Sequence, residues 1–454
     1  MEHVISITAV DTTLGTPQDN IGIMGLISKA VAVAPTFALD TPYLLTQLSD
    51  LEALGITAAY DAANNLAFHQ QVSEFYTEAG TGALLWVQGC STATAYAEYV
   101  TGSAFYNFIQ YSGTADPDNL IRMVGLCYNV PATQQSAADF PADVSATITA
   151  LQTTYASMYQ DGFPWSAILD GYNMSSTVNP ATVGSMATNT AFAVSLCVTS
   201  TLGNGVSQVG MALGRYARIA LGRGIGNAAD GAVSQVTAFL TNSIIIPTTG
   251  TLVVGSTYYV SNGTVLYNGV TYQTGKTFVA VMGFTSYTTA DTGYLILGAT
   301  PVQNLTPAYV KQLGQKQYLF VTQLKGKSGF YWNDGATCIS QTEAFAFQEY
   351  NRIVNDATLA ALNFWTNEHG DDLPTDVATG DLDPVWVNTK QNEFNIGSNS
   401  YFGPLVSAGS IVAGQMLITG PGFATNPNPQ FSISIVRKSI IGNITGTVQY
   451  VSTL

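Results

Sequence analysis

Gly222, Gly224 and Gly226 stand at alternate positions in "LGRGIGN" and raise the question of a phosphate site. Glycines between a strand and a helix N-terminus let backbone N–H groups reach phosphate oxygens. That geometry needs a strand before the first glycine and a helix opening at the last. Here the preceding Val209, Leu213, Tyr216 and Ile219 or Ala220 step along a helical face, and no Lys-Ser/Thr pair follows. A helix C-cap and turn explains the glycines better. Acid–base chemistry has only His3, His69 and His369 to draw on, and no G-x-S-x-G elbow accompanies them. Glu368, Asp371, Asp372, Asp376, Asp381 and Asp383 crowd one loop, and carboxylates are what a hard cation takes. The glycine and glutamate register of a calcium loop is missing, so a solvated loop is expected. Cys90, Cys127, Cys197 and Cys338 show no C-x-x-C spacing, and three of them lie in apolar strand-like runs. Buried free thiols, in keeping with a reducing cytoplasm, are the expectation. Nothing converges, and the chain is read as a non-enzyme with no catalytic, cofactor-binding or metal-binding residues and no cofactor.

The elements that would position such groups alternate in type. "TPYLLTQLSDLEALG" places Leu44, Leu45, Leu48 and Leu51 at helical spacing, with Thr41 as cap before Pro42. "DAANNLAFHQQVSEFYTEAG" continues with Leu66, Val72, Phe75 and Tyr76 and stops at Gly80. From Ala83, apolar runs ("ALLWVQG", "LIRMVGLCYNV", "FPWSAILDGY", "TAFAVSLCVTS") alternate with helical stretches, one stepping through Val144, Ile148, Leu151 and Tyr155. This is the pattern of an α/β core with a largely parallel or mixed sheet. Residues 243–304 read differently, as Val/Tyr/Thr runs broken by Asn262-Gly263, Asn268-Gly269 and Gly275-Lys276. Asn-Gly between such runs predicts hairpins, hence a small inserted antiparallel β domain. A short helix, two strands and a long helix carrying Phe345, Tyr350, Ile353, Val354, Ala357 and Ala361 follow from Pro307. Strand-like pieces are expected between the acidic loop and "GSIVAGQMLITG".

The chain has 454 residues, 46% of them apolar and only 9% charged, where soluble domains carry about 25%. A surface of Thr, Ser, Asn, Gln, Ala and Gly is cheap to desolvate, which suits a protein packed against its own copies; extracellular β-rich proteins can look similar. A net charge of 14 − 29 = −15 disfavours nucleic acid as a partner. The first residues, "MEHVISITAVDTTLG", do not read as a signal peptide, and no apolar run approaches the roughly 18 residues of a membrane span. "PGFATNPNPQ" (421–430) is a stiff linker to "FSISIVRKSIIGNITGTVQYV", a β-branched tail. In that tail Phe431, Ile433 and Ile435 alternate with Ser432, Ser434 and Val436. Such a strand can complete the protein's own sheet or template pairing with a neighbour.

In order, these pieces resemble the contractile tail sheath proteins of bacteriophages and related injection systems. "GKSGFYWNDGATC" is similar to the glycine, aromatic and acidic stretch of that family's C-terminal region, and "AFQEYNRIVNDATLAALNFW" to its long helix, with Arg352 near the middle. "NIGIMGLISKA" and "LTQLSDLEALG" resemble its early segment. The resemblance implies an N-terminal arm (1–20), an α/β core (21–242 and 305–420) interrupted by the β insertion (243–304), and a linker with a C-terminal β arm (421–454). It further implies that arm strands carrying Val4, Ile5, Ile7, Phe431, Ile433, Ile435, Ile440, Ile444, Val448 and Tyr450 pair between subunits by β-augmentation. Implied partners are copies of the chain itself, an inner tail tube protein, and baseplate and terminator proteins, with no nucleic acid and no membrane insertion. The implied place is a virion tail assembled in bacterial cytoplasm, and the implied mechanism is contraction of a metastable helical polymer around the tube. A static virion or surface protein is the other reading, an adhesin whose insertion offers Tyr258, Tyr259, Tyr267 and Tyr272 to host glycans; the same tyrosines suit a small β core equally.

Overall fold

Alternate residues of strand Met24–Ala30 (β1) enter two different hydrophobic layers, with Met24 and Leu26 on one side and Ile27 on the other. That double burial puts β1 in the middle of the fold. The computed structural model describes residues 23–115, 121–127, 142–173, 185–186, 191–199, 208–233, 249–252, 254, 257–273, 277–282, 286–297, 307–322, 331–340, 345–367, 374–376, 378–396, 400–419 and 430–437. Strand Tyr43–Leu45 (β2) and helices Leu48–Ala53 (α1), Ala58–Asn64 (α2) and Phe68–Ala79 (α3) come next. Strand Leu85–Ser91 (β3), helices Tyr96–Val100 (α4) and Ser103–Ala115 (α5), and strand Met123–Cys127 (β4) follow. Then come helix Ala142–Gln160 (α6), strands Ser166–Asn173 (β5) and Ala191–Thr199 (β6), and helix Val209–Arg218 (α7).

One sheet takes the order β6-β5-β4-β1-β3-β2, parallel at every pair except the antiparallel edge β2. One face of the sheet is packed by α1, α2, α3 and α7. The other face is packed by α4, α5 and α6. The expected parallel-type α/β core is therefore the structure observed. One local expectation fails. Residues 43–45 form a strand and not a helical turn, with Leu45 buried against the core and Leu44 exposed. The helix starts at Leu48 without Thr41; the Asp50 carboxylate closes its N-terminus, accepting from Thr46 N at 2.8 Å and Gln47 N at 3.1 Å. Four leucines fit either period over so short a run, and an open sheet edge decided it.

A second, antiparallel sheet is built from Thr249–Thr251 (β7), Thr257–Tyr267 (β8), Val270–Gln273 (β9), Thr277–Val279 (β10) and Ser286–Leu297 (β11). Asn268 and Gly269, both at positive φ (48° and 71°), turn β8 into β9, as an Asn-Gly hairpin requires. Asn262-Gly263 makes no turn. It lies inside β8, opposite a bulge in β11 between Ala290 and Tyr294. Gly275-Lys276 falls outside the described residues.

Helix Pro307–Gln315 (α8) leads to strands Tyr318–Leu319 (β12), Val321–Thr322 (β13), Tyr331–Trp332 (β14) and Thr337–Cys338 (β15). Strands β12 and β15 return to the main sheet and pair with β6, parallel and antiparallel respectively. Helix Gln348–Asn367 (α9) is the expected long helix. Beyond it the expected strand-like pieces are helices Pro384–Asn395 (α10) and Phe402–Ser407 (α11), followed by strand Ile411–Thr419 (β16). The α10 signal was present in Asp383-Pro384. Asp383 caps the helix through Val385 N and Trp386 N, each at 2.9 Å, and proline takes the first turn, where an N–H is not needed. Strand Gln430–Arg437 (β17) pairs with β16 in a separate two-stranded sheet.

Candidate functional site

The residues that suggested chemistry take structural positions. α7 ends at Arg218, and Gly222 follows at φ 75°, so the glycine series is the turn after a helix and not a helix entry. His69 Nε2 meets Glu52 Oε1 at 3.0 Å on the surface; His3 and His369 lie outside the described residues. In the acidic loop, Asp376 accepts from Ala378 N at 2.8 Å and Asp383 caps α10. Glu368, Asp371 and Asp372 lie outside the described residues. Among the described residues no three His, Cys, Asp or Glu side chains gather as metal ligands, and no helix is long and apolar enough to cross a membrane. Cys90, Cys127 and Cys338 are free and buried. Tyr258 and Tyr267 are each 2% exposed and stack on Phe278, with ring centroids 5.8 and 4.5 Å away, and Tyr272 leans on the same ring at 4.9 Å. These tyrosines are the insertion's own core, so three of the four proposed for a sugar platform are committed elsewhere.

Buried charge is concentrated where elements from distant parts of the chain join. Glu78 on α3 meets Arg215 at 3.6 Å and Arg218 at 3.3 Å on α7. On α9, Arg352 donates to the carbonyls of Tyr216 (3.0 Å) and Ile219 (3.5 Å) and lies over the Tyr216 ring. A guanidinium at these last carbonyls of α7 complements the helix dipole, while burial holds its pKa below the ordinary value. On the same helix Gln348 Nε2 donates to Ala193 O at 3.1 Å, and Asn355 Oδ1 accepts from Tyr155 OH at 2.9 Å. Farther along, Ala357 and Ala361 pack with Phe394, Phe402, Met416 and Ile418. α9 is thus a strut: its first half is bonded into the α/β core and its second half carries the terminal unit.

Burial pushes the Glu74 and Glu349 carboxyls up to about 8 from an ordinary 4.5; the neighbouring Asp334 adds to the rise at Glu349 and Arg352 opposes it. Between those values the folded chain keeps protons that the unfolded chain releases, so their stabilising effect is full below pH 4.5 and is lost as pH rises toward about 8. Glu74→Gln and Glu349→Gln are each expected to flatten that decline, read from urea midpoints at about pH 5 and about pH 8.

The terminal unit holds the described part of the expected C-terminal arm. β17 is antiparallel to β16, with Phe431 opposite Ile418, Ile433 opposite Met416 and Ile435 opposite Gly414. Ile433 and Ile435 pack partly buried against the terminal core, and Ser432, Ser434 and Val436 are exposed, as the alternation required. This first strand is therefore an internal pairing partner of β16 and not a tail separate from the body. Val4, Ile5, Ile7, Ile440, Ile444, Val448 and Tyr450 lie outside the described residues. Sequence reading missed the side chains on the far edge of β16. Asn395 Oδ1 accepts from Met416 N at 2.7 Å, Asn395 Nδ2 donates to Met416 O at 2.9 Å, and Gln391 Oε1 accepts from Ile418 N at 2.7 Å. Their i, i+4 spacing was visible, but only as part of a helix that had not been recognised.

The model of the DUF2586 N-terminal domain matches residues 3–245. No curated protein matches the sequence. Among solved structures, a chain of the anti-feeding prophage baseplate is similar over 98% of this chain and 99% of its own, with a TM-score of 0.54 at 9% identity. A chain of the contracted helical sheath of the same prophage aligns over 99% of both, with a TM-score of 0.53 at 8% identity. A chain of the contracted PVC sheath complex, an extracellular contractile injection system, covers 100% of this chain and 98% of its own at 0.52 and 9%. The fold is thus the one found in contractile sheath assemblies, as the sequence resemblance implied.

Proposed function

This chain belongs to the DUF2586 family, and from that premise we propose that it is the structural subunit of a contractile sheath. Copies assemble helically around an inner tube and shorten together to drive the tube through a bacterial envelope, with no catalytic step. The observation that carries this reading is the end-to-end correspondence with sheath-assembly chains, 98–100% of this chain and 98–99% of theirs. The 9% charged composition supports it, because surfaces that slide between two packings break few specific ion pairs. Residues 1–20 and the part of 421–454 that follows β17 serve as arms that reach neighbouring subunits, and the body of each subunit moves while the arms stay paired. Tube, baseplate and terminator proteins are the remaining partners, in a phage tail or a phage-like particle.

Negative-stain electron microscopy of the purified chain and of a version ending at Arg437 tests this. Regular hollow tubes from the full chain, and folded monomers from the shortened one, are expected. Monomers from both would end the sheath reading.

A further inference from the structure

One face of α9 carries Glu349, Arg352 and Asp356, at positions i, i+3 and i+7, so charges of alternating sign follow one another turn by turn. Glu349 and Arg352 are buried and Asp356 is half-buried. Each touches a different part of the chain. Gln348 N beside Glu349 donates to Gly335 O at 2.8 Å, in the connection between β14 and β15. Gly335 has no side chain there; a Cβ on it would stand 3.0 Å from Glu349 Oε2. Arg352 holds the end of α7, and Asp356 accepts from Tyr401 OH at 2.7 Å, at the start of α11.

The middle charge has two acceptors in reach and uses one. Arg352 Nη2 donates to the Tyr216 and Ile219 carbonyls, while Nη1 has no hydrogen-bond partner, and neither has Glu349 Oε2 one turn away. Such a pair of unused groups is costly in the interior, least so while the acid keeps its proton. At neutral pH Glu349 keeps it, because burial first, and Asp334 after it, push the carboxyl up to about 8. Arg352 acts against that rise, and Tyr216, Glu349 and Asp356 are the titratable groups that act on Arg352 itself. Once ionised, Glu349 offers the guanidinium a carboxylate at i−3, a stronger acceptor than a carbonyl. What Arg352 would leave is a seat. Past Ile219 the chain turns at Gly222, φ 75°, where a Cβ would stand 2.8 Å from Ser410 O and 2.9 Å from Ile353 Cδ1. Ser410 precedes β16, so the terminal unit rests on the turn that Arg352 holds.

We propose that Arg352 is a two-position latch, which in one position holds the last carbonyls of α7 and with them the seat of the terminal unit, and in the other turns back one helical step to pair with ionised Glu349 and frees that seat. The exchange takes place within one chain and stands independently of the sheath reading. Raising the pH through about 8 ionises Glu349 and favours the second position; lowering it restores the first. The α9 ladder and the Asp356–Tyr401 bond persist in both, so the terminal unit loosens from the turn at Gly222 without leaving α9.

Residue-resolved amide hydrogen exchange on the dispersed full-length chain, at about pH 6.5 and about pH 9 and corrected for the intrinsic effect of pH, tests this. The amides to follow are those of Ile219, Arg223 and Ser410, which bond Arg215 O, Ala220 O and Leu405 O. In the natural chain their protection is expected to fall by about 10-fold or more at the higher pH, while α9 amides stay protected. Glu349→Gln cannot ionise and is expected to hold the protection at both pH values; Arg352→Met removes both positions and is expected to be loose at both. No loss in the natural chain would overturn the latch, and an equal loss in Glu349→Gln would assign the loosening to other groups and overturn it too. Asp334→Asn, an exposed position, tests the same point without altering the α9 pair. It removes a charge that raises the Glu349 carboxyl, so the midpoint of the loosening is expected at lower pH, and an unmoved or raised midpoint would refute the role of Glu349.

Discussion

Gly210→Ala is expected to lower the unfolding free energy by about 3 kcal/mol, at the upper end of ordinary overpacking. The sign is what makes this informative. Alanine in place of glycine inside a helix ordinarily gains about 1 kcal/mol. Here a Cβ at Gly210 would stand 2.0 Å from the Gln71 carbonyl oxygen, and one at Gly214 would stand 2.4 Å from the Phe75 oxygen. Both obstacles are α3 backbone, which no rotamer change can clear. The two glycines, four apart on α7, are the faces through which α7 and α3 touch, and Gly210 N also donates to Gln71 Oε1 at 2.7 Å. Forcing them apart would disturb everything α7 supports, including the carbonyls that hold Arg352. Urea midpoints for Gly210→Ala and Gly214→Ala check this, and a stabilised variant would mean that α3 yields freely.

Glu78→Leu is expected to destabilise the fold by about 4 kcal/mol, the range seen when one member of a buried ion pair is removed. Arg215 is 1% exposed and cannot carry its charge to water once Glu78 is gone, whereas Arg218 is partly exposed and can turn outward. Adding Arg215→Met should return about half the loss, because the stranded charge disappears, although the 2.6 Å bond from Arg215 to Gly231 O is lost with it. The two single variants and the double variant form the cycle that measures this. A double variant no better than Glu78→Leu would show that packing, and not charge, dominates the site.

Much of the architecture was legible in the sequence because its signals are local. Strands β3, β4 and β5 are mostly apolar, since both faces are covered, with Gln88, Ser166 and Asp170 as buried polar exceptions, and the helix of Val144, Ile148, Leu151 and Tyr155 steps along one apolar face. Asn268-Gly269 reads as a hairpin turn because few other pairs tolerate those φ angles. Asn262-Gly263 has the same letters and sits inside a strand, because a bulge in β11 absorbs the irregularity across the ladder. Residues 43–45 became an edge strand because β3 had an unpaired edge beside them, which composition cannot show. α10 was passed over although Asp383-Pro384 announced it, because its remaining residues are mostly polar and carry little apolar periodicity.

By itself, then, the sequence determined most element types of the α/β core, the two-sided burial of the main sheet, the lack of charge and the strand character of residues 431–436, all set by residue chemistry and short-range spacing. Tertiary structure alone decided that β17 pairs with β16, that Asn395 and Gln391 occupy the other side of β16, and that Arg352 holds the end of α7. Each of these joins residues whose separation along the chain bears no relation to their separation in space. A backbone N–H carries no mark in the sequence of the partner it will find.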